Sequence, residues 1–459
     1  AHLKDMDAGT QALTSPQLTS ADINGGTIDG VTIGGASAGA ITGTTITANT
    51  SLVGTLGTAA QSNVTSLGTL TGLTVAGNLS VDGGTIKLDG NYPNGGNNVA
   101  LGDAALDAVG SGGDGNTALG SVALTDNTTG DNNTAIGYAA LYDNSTASAN
   151  TAVGASALEK TTTGADNSAV GFAALLNNTT GSYNSAFGRQ ALRSNTTASD
   201  NTAVGYQSLY ANTTGFYNVA MGGRNSVNNT PLGANTTGSY NIAYGNGALG
   251  KNTTASYNSA MGYEALFSNT TGAYNTAVGM QSLNQNTTAS FNTAVGYQAG
   301  YSNTTGTQNV AFGSLSLDAN TTGNNNTALG HHAAGKVTTA SDNTAVGRSA
   351  LYESSTGARN TAVGSEALYY TTASNNTAVG YQAGYNSVNA DSTFIGTYAG
   401  YAASYAGTGR NTFIGFNSGG AVTSGRYNTI LGSYNGNENG LDIRTSSNNI
   451  VLSDGDGNP

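Results

Sequence analysis

Beyond Asn98 the apolar and polar positions of the chain repeat on a fixed beat. The motif Asn-Thr-Ala-Val-Gly, or a near variant, occurs twenty times between Asn98 and Gly432, and fourteen of the nineteen steps between its glycines are 17 residues. Asn275 to Phe291 is a representative unit, and unit positions are counted from its leading asparagine. Position one is asparagine in nineteen copies, with Ser392 the exception; position three is alanine in the first seventeen; position four is apolar or aromatic throughout. Alternation along an extended chain sets the alanine and glycine of positions three and five on one face and the position-four side chain on the other. Two short alternating stretches per unit, separated by turn formers, predict two strands per coil.

Twice this period is also the length of a helix-pair repeat, about 34 residues. Each unit, however, carries glycine, several threonines and an asparagine cluster, and no run of helix formers is long enough for two helices. Ordering one unit costs on the order of 17–34 kcal/mol of backbone entropy, whereas burying one valine and one leucine returns roughly 3–6 kcal/mol. No unit folds alone, so the copies must stack. The pattern predicts an all-β fold, a parallel β-solenoid (β-roll) of about twenty 17-residue coils over residues 91–436. At ~4.8 Å per layer such a rod is about 96 Å long. The leading asparagines are expected to form a structural ladder of side-chain amides along it. A single step of 23, from Gly222 to Gly245, holds six extra residues around Asn228 to Gly233, and the period then resumes, as for a loop at the edge of a coil.

The first ninety residues follow another rule. Ile23 to Gly34 and Leu70 to Val81 alternate β-branched residues or leucine with glycine and polar residues, with too few apolar side chains for a monomeric core. A thread of this kind orders by winding around copies of itself, which predicts a thin intertwined β shaft over residues 1–90 in a homotrimer. Residues 437–459 leave the period and read as a C-terminal extension.

Composition narrows the function. The chain has 13 basic and 25 acidic residues in 459, a net charge of −12, so the basic ladders that a phosphate backbone demands are missing and nucleic acid is not an expected partner. Cysteine is absent, which removes disulfide and thiol chemistry. No apolar run approaches the roughly 18 residues of a membrane span. The sequence opens without a methionine or a signal-like apolar segment over Ala1 to Gln11, as expected of a portion of a longer chain.

Two stretches resemble known families. Leu67 to Val75, followed by Val81 to Gly90, is similar to the shaft sequences of tail fibres of tailed bacteriophages. The later Asn-Ser/Thr-Ala-x-Gly rungs, such as Asn167 to Gly171, resemble the head repeats of trimeric autotransporter adhesins, whose coils are shorter, about 14 residues, and whose motif has one more residue between asparagine and glycine. The resemblances imply a homotrimeric, extracellular structural fibre of a virion tail. Its partners would be other tail or baseplate proteins and a host surface receptor such as a glycan, and fibres of this kind often continue into a self-cleaving chaperone domain. The alternative they imply is a trimeric adhesin on a bacterial cell surface.

Aromatic rings at the last unit position, Tyr183, Tyr217, Tyr240, Tyr257, Tyr274 and Phe291, form a candidate ligand-facing ladder; mutual stacking that stiffens the rod is the other reading. A second series after the motif glycine, Tyr138, Phe172, Tyr206, Tyr263 and Tyr297, reads as packing. The Asn-Thr-Thr turns at Asn178, Asn212, Asn235, Asn269 and Asn303 match the N-glycosylation pattern, but their periodicity points to turn geometry. Threonine ladders also suggest an ice-binding solenoid, although Val337, Ser354 and Ser355 interrupt them. His331 and His332 would need a threefold axis to make a metal site, and no metal or cofactor is expected. Asp166, Asp200 and Asp342 share the last unit position two or more rungs apart; for the first two the separation is about 9.6 Å, at the edge of the range for an inverting glycosidase. The chain is not expected to be an enzyme, which leaves a glycan depolymerase tailspike as the lesser alternative.

Overall fold

A computed structural model describes residues 96–459 apart from 111, 226–228 and 405–406. The intertwined shaft expected over 1–90 lies outside the described residues. The remainder is all-β, with no helix among the described residues. Twenty-one strands form one sheet, and each pairs in parallel with the next rung along the chain, Thr276–Val278 for example lying between Ser259–Met261 and Thr293–Val295. The registers match like with like: Ala260 pairs Ala277 and Ala277 pairs Ala294. This is the parallel β-solenoid that the period predicts.

Each regular rung holds one three-residue strand at positions two to four, not the two strands expected from the alternation. The reason is backbone conformation. Positions seven, nine and seventeen lie in the left-handed region, for instance Gln281 (φ 56), Leu283 (φ 47) and Phe291 (φ 64), so the second stretch is a chain of turns. The turns still bond from coil to coil: Leu283 N donates to the Ala299 oxygen (3.0 Å), Gln281 N to Tyr263 (2.8 Å) and Thr287 N to Thr304 (3.1 Å). Stacking therefore satisfies the backbone without a second sheet.

The interior is filled from two sides. The position-three alanines from Ala118 to Ala378 are buried, as are the leucines that hold position nine in most rungs, such as Leu283. Where alanine gives way to phenylalanine, leucine gives way to glycine: a Cβ on Gly400 would come 2.2 Å from the ring of Phe394, and one on Gly419 2.4 Å from that of Phe413. In these two rungs the ring takes the space that leucine fills elsewhere, whereas Gly300 and Gly384 leave position nine small beside Ala294 and Ala378. The motif glycine is required by a close approach. Gly279 has φ +128, and a Cβ there would lie 2.4 Å from the Gly296 oxygen of the next rung.

Two columns of asparagine complete the core. At position one, Asn292 N donates to Asn275 Oδ1 (3.0 Å) while Asn292 Nδ2 donates to the Gly306 oxygen (2.9 Å). At position twelve, the turn asparagines chain side chain to side chain, Asn235 to Asn212 (2.9 Å), Asn252 to Asn235 (2.8 Å) and Asn269 to Asn252 (2.9 Å). The six extra residues enter between Gly222 and Pro231, after which Val219 still pairs with Ile242. The segment 437–459 supplies the last strand of the sheet, Ile450–Leu452, paired with Thr429–Leu431.

Candidate functional site

The position-seventeen residues stand outside the core at a corner of each coil, in left-handed backbone conformation. Five consecutive rungs place an aromatic ring there. Tyr217, Tyr240, Tyr257, Tyr274 and Phe291 stack in one column, with centroids 5.2, 5.0, 4.8 and 5.1 Å apart in order along the rod and planes within 22° for the first pair and 6° or less for the rest. Each remains 41–57 % exposed. Phe216 closes the first end edge-on, 5.6 Å from Tyr217 and 5.3 Å from Tyr240. Tyr183 is 63 % exposed and stands apart from the column, because Asp200 occupies the rung between.

This geometry decides what the ladder offers. A sugar packs against the flat face of an aromatic ring, but here each interior ring gives its faces to its neighbours. What reaches solvent is a row of ring edges and the hydroxyls of four tyrosines, one per rung, suited to hydrogen-bonding a hydroxyl-rich surface. Left-handed conformation for a bulky residue costs about 1–2 kcal/mol, comparable to the roughly 0.5–1.5 kcal/mol gained per aromatic pair. The column therefore adds little net stability over Asn132, Asp166 or Asn325, which take the same position and conformation in other rungs.

A second column escaped the sequence reading. Tyr352, Tyr369, Tyr385 and Tyr401 share position ten in consecutive rungs, with centroids 5.3, 5.2 and 5.2 Å apart, and Tyr370 packs edge-on against Tyr369 and Tyr385. Burial raises the Tyr385 hydroxyl to about 12, with Tyr370 and Glu366 adding to the shift. The signal was present as tyrosine at 16- and 17-residue spacing, masked by the variable residues at the same position in earlier rungs.

The other predicted residues separate. Tyr138, Phe172 and Tyr297 of the second aromatic series are exposed, Tyr206 and Tyr263 half-buried, and two of them carry a guanidinium, Arg189 over Phe172 at 5.5 Å and Arg224 over Tyr206 at 4.7 Å. Asn178, Asn212, Asn235, Asn269 and Asn303 are buried with their amides bonded inside the stack, so the folded chain offers no glycan acceptor there. The position-thirteen threonines donate to the next rung, as Thr270 Oγ1 does to the Thr287 oxygen (3.1 Å). Asp166 and Asp342 are exposed and Asp200 half-buried, with the Tyr183 rung between the first two in sequence. His331 and His332 meet edge-on at 4.1 Å, and burial, then His331, lowers the His332 pKa. Among the described residues no group of three or more histidines and carboxylates is placed to hold a metal ion, and no helix is long and apolar enough to cross a membrane.

The outer face of the strands is largely apolar. The position-four side chains point out of the sheet on every rung, including Leu119 (44 % exposed), Phe187 (42 %), Tyr244 (56 %), Met261 (47 %), Phe312 (52 %) and Leu431 (41 %), with position two beside them. Alternation correctly set the position-four side chains opposite the alanines; the structure shows that their face is the outside of the coil. Compared with protein-family models, curated proteins and solved structures, the chain matches none.

Proposed function

We propose that the chain is a structural fibre of a phage tail, assembled as a homotrimer and acting in attachment to the host cell surface. The observation that carries the reading is the unbroken apolar stripe on the outer face of a rod of twenty-one layered strands. At ~4.8 Å per layer and roughly 10 Å of width, it presents about 1,000 Å² per chain, above the ~800 Å² per partner of a stable interface. Contiguous apolar patches beyond a few hundred Å² mark interaction surfaces. A stripe with this length and period is matched along its whole course by another copy of the chain. The resemblance of Leu67 to Gly90 to phage fibre shafts supports the virion, and the low charge and layered core suit an extracellular rod. Attachment would proceed by reach and multivalency, three copies of weak sites acting at high effective concentration. The column Tyr217 to Phe291 supplies the contact, its hydroxyl edges facing glycan on the host.

The test has two stages. Light scattering on the purified chain should give three times the chain mass, and labelled rods should decorate host cells, with decoration reduced by Tyr240→Phe, Tyr257→Phe and Tyr274→Phe together. A monomeric chain, or decoration unchanged in the triple variant, contradicts the respective part of the reading. The resemblance of Asn167 to Gly171 to adhesin heads keeps a bacterial surface adhesin as the second reading; antibody labelling of virions against whole cells separates the two. Incubation with host polysaccharide should leave chain length unchanged, whereas shortening would indicate a depolymerase.

A further inference from the structure

A stripe that repeats every rung has a weakness: two copies sliding past each other by one layer would meet almost the same surface. Something has to fix the alignment, as a few unlike residues do in helical assemblies with a uniform seam. On most rungs position two, the second outward residue, is threonine or serine. It is apolar on five of the twenty-one: Val99, Val219, Ile242, Val310 and Ile450. Counted along the sheet these are rungs one, eight, nine, thirteen and twenty-one.

We propose that these five rungs set the axial register between copies of the chain, an inference that rests on the self-association just described. Their spacing is uneven. Shifting one copy by a single rung brings only one apolar rung opposite another, shifts of two or three rungs bring none, and no shift brings more than two of the five together. A misaligned apolar rung within the overlap faces a hydroxyl and leaves that hydroxyl without water, and one at an end, Val99 or Ile450, loses its counterpart, so the penalty of slipping is shared among several rungs. Zero offset is the one alignment that pairs all five. The relief of the surface adds to this. Across rungs seven to nine, Val204, Met221 and Tyr244, with the backbone of Gly222 and Gly245, line an open notch of about 400 Å³, and Tyr244 projects beside it at 56 % exposure. Projection and notch stand at the same level in each copy, so any slip changes what each of them meets. Interior packing is untouched, because position two points away from the core.

The test uses the full chain, which has no native cysteine. Thr322, exposed and away from the stripe, is replaced by cysteine and spin-labelled, and label-to-label distances are measured by pulsed electron resonance. The parent should give a single narrow distance. The variant with Val99, Val219, Ile242, Val310 and Ile450 all changed to Thr keeps the position-four stripe; it should retain the parent's mass and β circular dichroism, while the native distance falls below half of the pairs and longer components appear, each the hypotenuse of the native separation and a whole number of ~4.8 Å layers. An equally narrow distance in the variant overturns the proposal and leaves association standing. Dissociation of the variant also overturns it, since those residues would then hold the copies together and not align them. A parent that is itself monomeric defeats the association reading instead.

Discussion

At the scale of single residues, the repeat is written by contacts between identical side chains one rung apart. Gly279→Ala places a methyl 2.4 Å from the Gly296 oxygen at φ +128, so nothing short of a backbone shift relieves it. The expected loss is at least on the order of 1–3 kcal/mol, read by chemical denaturation. The reverse experiment exists where the position-twelve amide column is broken. Thr161 is fully buried with an unpartnered hydroxyl, and Asn144 Oδ1 in the preceding rung has no donor. Thr161→Asn would bridge Asn144 and Asn178 in the manner of Asn195, which donates to Asn178 Oδ1 at 2.9 Å. A gain of about 1 kcal/mol is expected as a raised melting temperature, and a neutral or lower value contradicts the ladder's role. Asparagine, alanine and glycine at positions one, three and five were legible because each is the residue type its contact demands. The left-handed leucines, such as Leu283, were not, since leucine carries no conformational signature in a sequence.

At the scale of the rung, the structure replaces two expected strands with one strand and a run of turns. The misreading has a physical origin: left-handed residues at positions seven and nine break the extended chain and bury neighbours such as Ser282 and Leu283 together, and neither residue type announces that conformation. The core that results exchanges volume between positions three and nine. Phe394→Ala should cost about 3–5 kcal/mol, and Gly400→Leu alone should be at least as harmful because the ring of Phe394 occupies its space. The double variant rebuilds the alanine–leucine pair of Ala277 and Leu283 and should recover more than half of the summed loss. Simple additivity in that cycle would contradict the exchange. The position-ten tyrosines provide a pH handle. Tyr385 titrates at about 12 in the folded chain, against roughly 10 for free tyrosine. Its contribution is fully present below the unfolded pKa and is lost as pH rises through the folded one, because the unfolded chain ionises first. Melting temperature should fall between pH ~10 and 12, and Tyr385→Phe should flatten that fall.

At the scale of the molecule, the layered stack was legible from the period alone, and so was the step that holds the insertion, although Pro231, Leu232 and Gly233, expected among the extra residues, take regular coil positions. Which face of the strand is inside was not: a strand of three residues with alanine at its centre and valine at its edge permits either answer, and only the leucines arriving from position nine decide it by filling the alanine side. The outcome turns the position-four residues outward and leaves a rod whose longest feature is an apolar stripe with the spacing of its own rungs. The account therefore rests on that stripe being covered by like copies. Electron cryo-microscopy of the purified chain tests it most directly. The account predicts a straight rod with a layer spacing of ~4.8 Å, three chains around one axis, and Val278 and Val295 turned towards that axis. A single solenoid with those valines facing solvent, or density without the layer spacing, would contradict it.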